Sequence, residues 1–158
     1  MLDRQFIADY ENDAAKVSRI IKGLTREDLL ALPVPGMWSI QQVVVHLADS
    51  EQVFADRIKR VIAEDNPMLL AFDENKWSSN LHYNEQSAHD AGVMIELARM
   101  QIAQVLRALP DEAFSRSGNH SVAGPVTLAE LIVKATKHLE HHLKFVADKR
   151  EKLGKLMW

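Results

Sequence analysis

Three of the seven histidines in this 158-residue chain fall within five positions, in KATKHLEHHLKF at 134–145. Imidazole is a proton carrier near neutral pH and a common metal ligand, so such a concentration is a candidate for chemistry. Stepping by three and four from Leu131 reaches Ala135, His138, His142 and Phe145, a helical seam that faces a core. His141 steps instead to Lys134, Lys137, Lys144 and Asp148, a solvated face. His138 and His142 are therefore the pair expected to point inward, with His141 on the surface beside them. Their i, i+4 spacing puts the Cβ atoms about 5–6 Å apart, close enough for two rings to converge on one ion.

Burying two adjacent histidines is costly unless each ring nitrogen finds a partner. A divalent metal is one solution, and it calls for a third ligand from another helix. His46, in WSIQQVVVHLADSEQVF, is one candidate, at the edge of an apolar helical face. Taken alone it reads first as a core-edge histidine satisfied by hydrogen bonds. Whether its height matches that of His138 and His142 depends on topology, which spacing does not supply. His82, His89 and His120 fall in loops or at a helix start and read as solvated or capping residues. Asp49, one turn after His46, is placed either to orient a ligand ring or as an exposed carboxylate. Glu51 and Glu140 read equally as surface charges.

The elements that must position these residues are helical. Apolar residues recur at helical spacing, and 6 Gly and 5 Pro are few for this length. An all-α single domain spanning residues 1–158 is expected. The first long helix is expected over about 2–22, ending at Gly23, with a short capped turn from Thr25 to near Leu32. The second opens at Ser39-Ile-Gln-Gln42 and runs to about Ala63, the third opens at Ser87-Ala-His-Asp90 and ends near Leu109, and the fourth opens at Thr127-Leu-Ala-Glu130 and reaches Lys152. Similar lengths suit a four-helix bundle. The connection of some 20 residues after Asn66-Pro67 suits a crossover running the height of that bundle. The stretch from Phe114 to Val126 is expected to be irregular.

Composition narrows the function classes. Net charge is −3 with both signs interspersed, so nucleic acid is not an expected partner. No apolar run approaches a membrane span, and the N-terminus lacks a secretory pattern, so a cytoplasmic protein is the default expectation. Cysteine is absent, which removes thiolate ligands and a cysteine nucleophile.

Three signatures make the chain resemble the DinB-like superfamily, small four-helix proteins that include YfiT-like metal-dependent hydrolases and bacterial thiol transferases. They are Gly36-Met-Trp-Ser39 followed by His46-Leu-Ala-Asp-Ser-Glu51; Phe72-Asp-Glu-Asn-Lys-Trp77 followed by Tyr83-Asn-Glu85; and Gly124-Pro-Val-Thr-Leu128 leading to His138-Leu-Glu-His-His142. The resemblance covers nearly the whole chain. It implies an up-down-down-up bundle, a metal site of His46, His138 and His142, and a homodimer.

Three imidazoles with an open position are the pattern of a catalytic metal site rather than a closed structural one. Zinc and nickel suit such a shell, and iron and manganese are compatible with it. Two reaction classes follow, both on a small-molecule substrate: hydrolysis by an activated water, or attack by an activated low-molecular-weight thiol arriving as a cosubstrate. The other class is a non-catalytic bundle, dimeric and binding or stress-related, whose site is vestigial, structural or metal-buffering. Trp77 and Tyr83 are placed either to roof the site or simply to anchor the crossover.

Overall fold

Side-chain caps start the long helices where the sequence places them. The computed structural model describes residues 3–157. Ser39 Oγ accepts the Gln42 N–H, and Gln42 Oε1 accepts the Ser39 N–H, opening α4 (Ile40–Ala63). Thr127 and Glu130 exchange the same pair of bonds and open α7 (Leu128–Lys152). Ser87 accepts the Asp90 N–H at 3.1 Å to open α6 (Ala88–Arg107), without a return bond from Asp90, so this cap is one-sided. A full box of Thr25 and Asp28 opens α3 (Arg26–Leu30).

The expected first helix is in fact two, α1 (Gln5–Asn12) and α2 (Lys16–Ile20). Ala14 and Lys16 bond to carbonyls three residues back, at Glu11 and Asp13, which tightens the chain into a turn. The buried Asp13 carboxylate takes the Lys16 ammonium at that break. Its expected start at Leu2 lies outside the described residues. α2 then lies close on α6: a Cβ at Gly92 would stand 2.7 Å from Ser18 Oγ, so only glycine fits there without a shift.

A small sheet, absent from the sequence expectation, closes one end. β1 (Met68–Leu69) pairs in parallel with β2 (Ser117–His120), and β2 pairs antiparallel with β3 (Gly124–Thr127). The stretch expected to be irregular is thus largely a hairpin. The parallel pairing has a topological consequence. β1 follows α4 and β2 follows α6, so the two helices finish at the same end of the bundle and run parallel. The connection between them must travel back along its whole length, through α5 (Glu74–Asn80) and a 3₁₀ turn at Tyr83–Glu85. α7 leaves β3 at that same end and returns. The result is the up-down-down-up four-helix bundle.

The core is in two parts. One, near the sheet, contains Tyr10, Ile58, Ile102 and Leu131; the other contains Val17, Val44, Ile95 and Leu139. A buried polar layer lies where they meet. Arg99, 0% exposed, donates from Nε to Glu51 (2.8 Å), from Nη1 to the Tyr10 carbonyl (3.0 Å) and from Nη2 to the Ala135 carbonyl (3.0 Å). The Tyr10 hydroxyl completes the layer by donating to Glu51. Glu51 is therefore an interior ion-pair partner, not the surface charge that was one expectation for it. Among the described residues no helix is long and apolar enough to cross a membrane.

Candidate metal centre

His46 comes from the second turn of α4, and His138 and His142 from successive turns of α7. The Arg99 layer sets their relative height. It ties Glu51, five residues after His46, to the carbonyl of Ala135, three residues before His138. His46 is buried, and the other two are half-buried. One nitrogen from each of the three rings lies within 4.8 Å of the others. The Nε2 atoms of His46 and His138 are 3.3 Å apart.

The protein itself leaves these nitrogens poorly satisfied. Ser50 Oγ stands 3.5 and 3.4 Å from the two ring nitrogens of His46, too far for a strong hydrogen bond. His142 Nδ1 is buried with no hydrogen-bond partner. Buried polar groups without protein partners normally meet something else. The donor set fits a divalent ion. Metal–nitrogen bonds of about 2.0–2.1 Å in a tetrahedron set ligand nitrogens about 3.4 Å apart, close to the His46–His138 separation.

Electrostatics agree with the geometry. Burial holds His46 and His138 down at about 4 and His142 at about 3, and the neighbouring imidazoles deepen each shift. All three rings are neutral at pH 7 and keep lone pairs available to a cation. Apolar walls enforce the burial. The Trp38 ring stands edge-on to His46 at 5.2 Å, Phe72 lies 6.2 Å from it, and Phe54 lies 5.8 Å from His138.

A cavity of about 440 Å³ opens onto His138 and His142, lined also by Trp38, Glu74, Phe145 and Lys149. Sequence reasoning passed over Glu74. The crossover places it at the start of α5, with Oε2 at 3.6 Å from His46 Nε2. Because His46 is neutral, that contact is a carboxylate facing an imidazole rather than an ion pair. Asp73 positions the segment by accepting the N–H groups of Asn75 and Lys76. The signal was present in the run Asp73-Glu-Asn75, but the side chain's direction depends on how the crossover docks. A larger cleft, about 960 Å³, is lined by Phe72 and Trp77 among others and by no histidine.

The remaining sequence candidates fall elsewhere. His141 is exposed and packs edge-on against Phe145 at 4.7 Å. His82 occupies a left-handed turn, His89 is exposed, and His120 Nδ1 accepts the Val122 and Ala123 N–H groups that turn β2 into β3. Asp49 does not orient His46. It accepts the Tyr83 hydroxyl at 2.5 Å, which pins the crossover to α4. Trp77 packs on Phe72 with ring centroids 4.5 Å apart, so it buttresses the aromatic residue that touches His46.

Comparison with known proteins places this arrangement in a family. A relative from Oceanobacillus iheyensis named "Putative metal-dependent hydrolase" is 26% identical over 142 residues, 90% of this chain and 82% of its own length. One of the same name from Bacillus mycoides is 27% identical over 150 residues, covering 95% and 86%. The fold matches that of YfiT from Bacillus subtilis, described as "a probable metal-dependent hydrolase with an unusual four-helix bundle topology", with a TM-score of 0.89 at 23% identity over 98% of this chain and 91% of that one. A DinB-like protein of Bacillus subtilis matches with a TM-score of 0.62 at 18% identity, covering 98% and 97%. The DinB superfamily model spans residues 9–146, from within α1 through all three histidines of α7, and the chain belongs to the DinB superfamily.

Proposed function

We propose that this chain is a single-domain, metal-dependent enzyme of the cytoplasm. It carries one divalent ion, zinc or nickel, on His46, His138 and His142, and activates water or a low-molecular-weight thiol toward a small-molecule substrate. One observation carries this reading: three neutral imidazoles from two helices converge within 4.8 Å beside a cavity of about 440 Å³. The names of the relatives support metal dependence and, within it, hydrolysis. The lack of any cysteine means that a thiol reaction would draw its sulfur from a cosubstrate.

An ion in this position supplies Lewis acidity, lowering the pKa of the water or thiol it binds. The three rings hold and orient it while adding no negative charge, so its acidity is not damped. Glu74 Oε2, at the exposed mouth beside His46, accepts the proton that the nucleophile gives up and passes it to solvent. Trp38 and Phe72 keep bulk water from the apolar side of His46. An exposed apolar stripe on α6, including Val93, Leu97 and Met100, supports a homodimer, which light scattering would test.

The test combines elemental analysis with two assay panels. Protein produced in medium containing zinc and nickel is expected to hold about one ion per chain. The loaded protein is then assayed with activated esters and amides alone, and with thiols plus a thiol-reactive electrophile. Turnover in the first panel identifies a hydrolase, and turnover confined to the second identifies a thiol transferase. Protein that takes up no divalent ion overturns the reading.

A further inference from the structure

The cavity that reaches His138 and His142 has in its wall a cation that forms no ion pair or hydrogen bond among the described residues. Lys149 lies seven residues after His142, two turns along the same face of α7, and is 2% exposed. It lines the cavity together with Met37, Phe145 and Glu74. Among the described residues, no carboxylate or carbonyl lies within bonding distance of its ammonium; the adjacent Asp148 acts on it only at longer range and pairs instead with Lys152, and the Phe145 ring stands 5.8 Å away. The other buried basic residues are all bonded. Arg99 holds Glu51, Arg150 donates to the carbonyls of Ile20, Lys22 and Lys155, and Arg57 donates to the Leu70 carbonyl. Glu74 lines the same cavity but stands by His46 and forms no ion pair with Lys149.

The stem of Lys149 is buried and its ammonium keeps only a small opening to solvent, with no protein group paired to it, which favours an anion beside it. Here it also sits close enough to His142 to oppose positive charge on that ring. A cation beside a centre built to hold another cation is a poor arrangement for the protein alone. It becomes favourable once a negative group occupies the space between them.

We propose that Lys149 anchors an anionic oxygen group, carboxylate or phosphate, on the small molecule that enters this cavity. The assignment of the cavity as the substrate site rests on the metal-centre reading above. The reactive end of the ligand would then face the three histidines, with its charged end at Lys149. A cavity of about 440 Å³ admits a small molecule of this kind. A lysine is a compact point charge, so it selects for charge more than for the shape of the anion.

The experiment uses two thiols with the same three-carbon chain, 3-mercaptopropionate ending in a carboxylate and 3-mercapto-1-propanol in a neutral hydroxyl. They are titrated into cobalt-loaded protein and read by thiolate-to-metal charge-transfer absorbance. The acid is expected to bind at least about tenfold more tightly than the alcohol, the size of a charge-assisted hydrogen bond. Lys149→Met is expected to erase that preference at unchanged metal content, and Lys149→Arg to keep most of it. Equal affinity for the two thiols in the unmodified protein overturns the proposal, as does a preference that persists in Lys149→Met. A second arm needs no metal. Propionate and inorganic phosphate are expected to raise the melting temperature of metal-free protein but not of Lys149→Met, and the larger response identifies the anion class. No response to either ion overturns the proposal for Lys149. Failure to bind cobalt is read separately and counts against the metal centre, while the metal-free arm still decides the role of Lys149.

Discussion

Nε2 of His46 lies 3.3 Å from Nε2 of His138, although 92 residues separate them in the chain. Two facing nitrogens at that distance share one proton or hold one cation. The third ring, of His142, lies within reach of both. This relationship leads to the first expectation. His46→Ala, His138→Ala and His142→Ala should each abolish stoichiometric metal uptake, whereas His141→Ala should leave it intact. Elemental analysis of the four variants checks this, and equal loss in His141→Ala would refute the ligand assignment.

The low pKa values of the rings predict how the metal-free protein responds to acid. Unfolded histidines take up protons near 6.5, but His46 and His138 in the fold wait until about 4 and His142 until about 3. Between these values the unfolded state binds more protons, so the contribution of the three histidines to stability falls as pH drops from about 6.5 toward 3–4 and levels off below. Urea unfolding across this window should show the slope, and a variant with glutamine at all three positions should show a shallower one. The same shift lowers the pH at which protons displace the metal, because the folded rings compete as weaker bases than free histidine.

Glu74 Oε2 stands 3.6 Å from His46 Nε2, and the proposed function gives it a proton to carry rather than the metal to hold. Glu74→Gln should retain the ion yet lose about 10²-fold or more in turnover, the contribution typical of a positioned general base. A matched fall in metal content and activity would instead make the carboxylate a ligand.

Arg99 links α4 to α7 beside the histidines. Replacing it with methionine leaves Glu51 buried and unpaired, at a cost of about 3–5 kcal/mol. Changing Arg99 to Met and Glu51 to Leu together should cost less than the single change, since no orphan charge remains. Denaturant melts of the single and double variants measure the difference. Metal affinity should fall in both, because the tie that sets the height of His46 against His138 is gone in both.

Much of this architecture was legible in local patterns. Ser39 with Gln42 and Thr127 with Glu130 mark where the helices begin because a capping box is a contact between residues three apart. His138 and His142 share a face, and His141 does not, because 3.6 residues make a turn. The parallel run of α4 and α6 was foreshadowed by a connection too long for a simple turn. By contrast, the break at Asp13 carries neither glycine nor proline. The two-residue strand Met68–Leu69 is too short to show alternation, and its partner lies some 50 residues away at Asn119–His120.

What the sequence determined by itself, then, is where the capped helices begin and which way they face, since both arise from neighbours within a turn or two. Only the tertiary structure decided that Glu51 is an interior partner of Arg99, that Glu74 faces His46, and that Lys149 lines a cavity wall without an ion pair among the described residues. Charged side chains at helical spacing look alike whether they meet water or one another. Their environment is set by the elements packed across from them, and those contacts exist only once the chain has closed on itself.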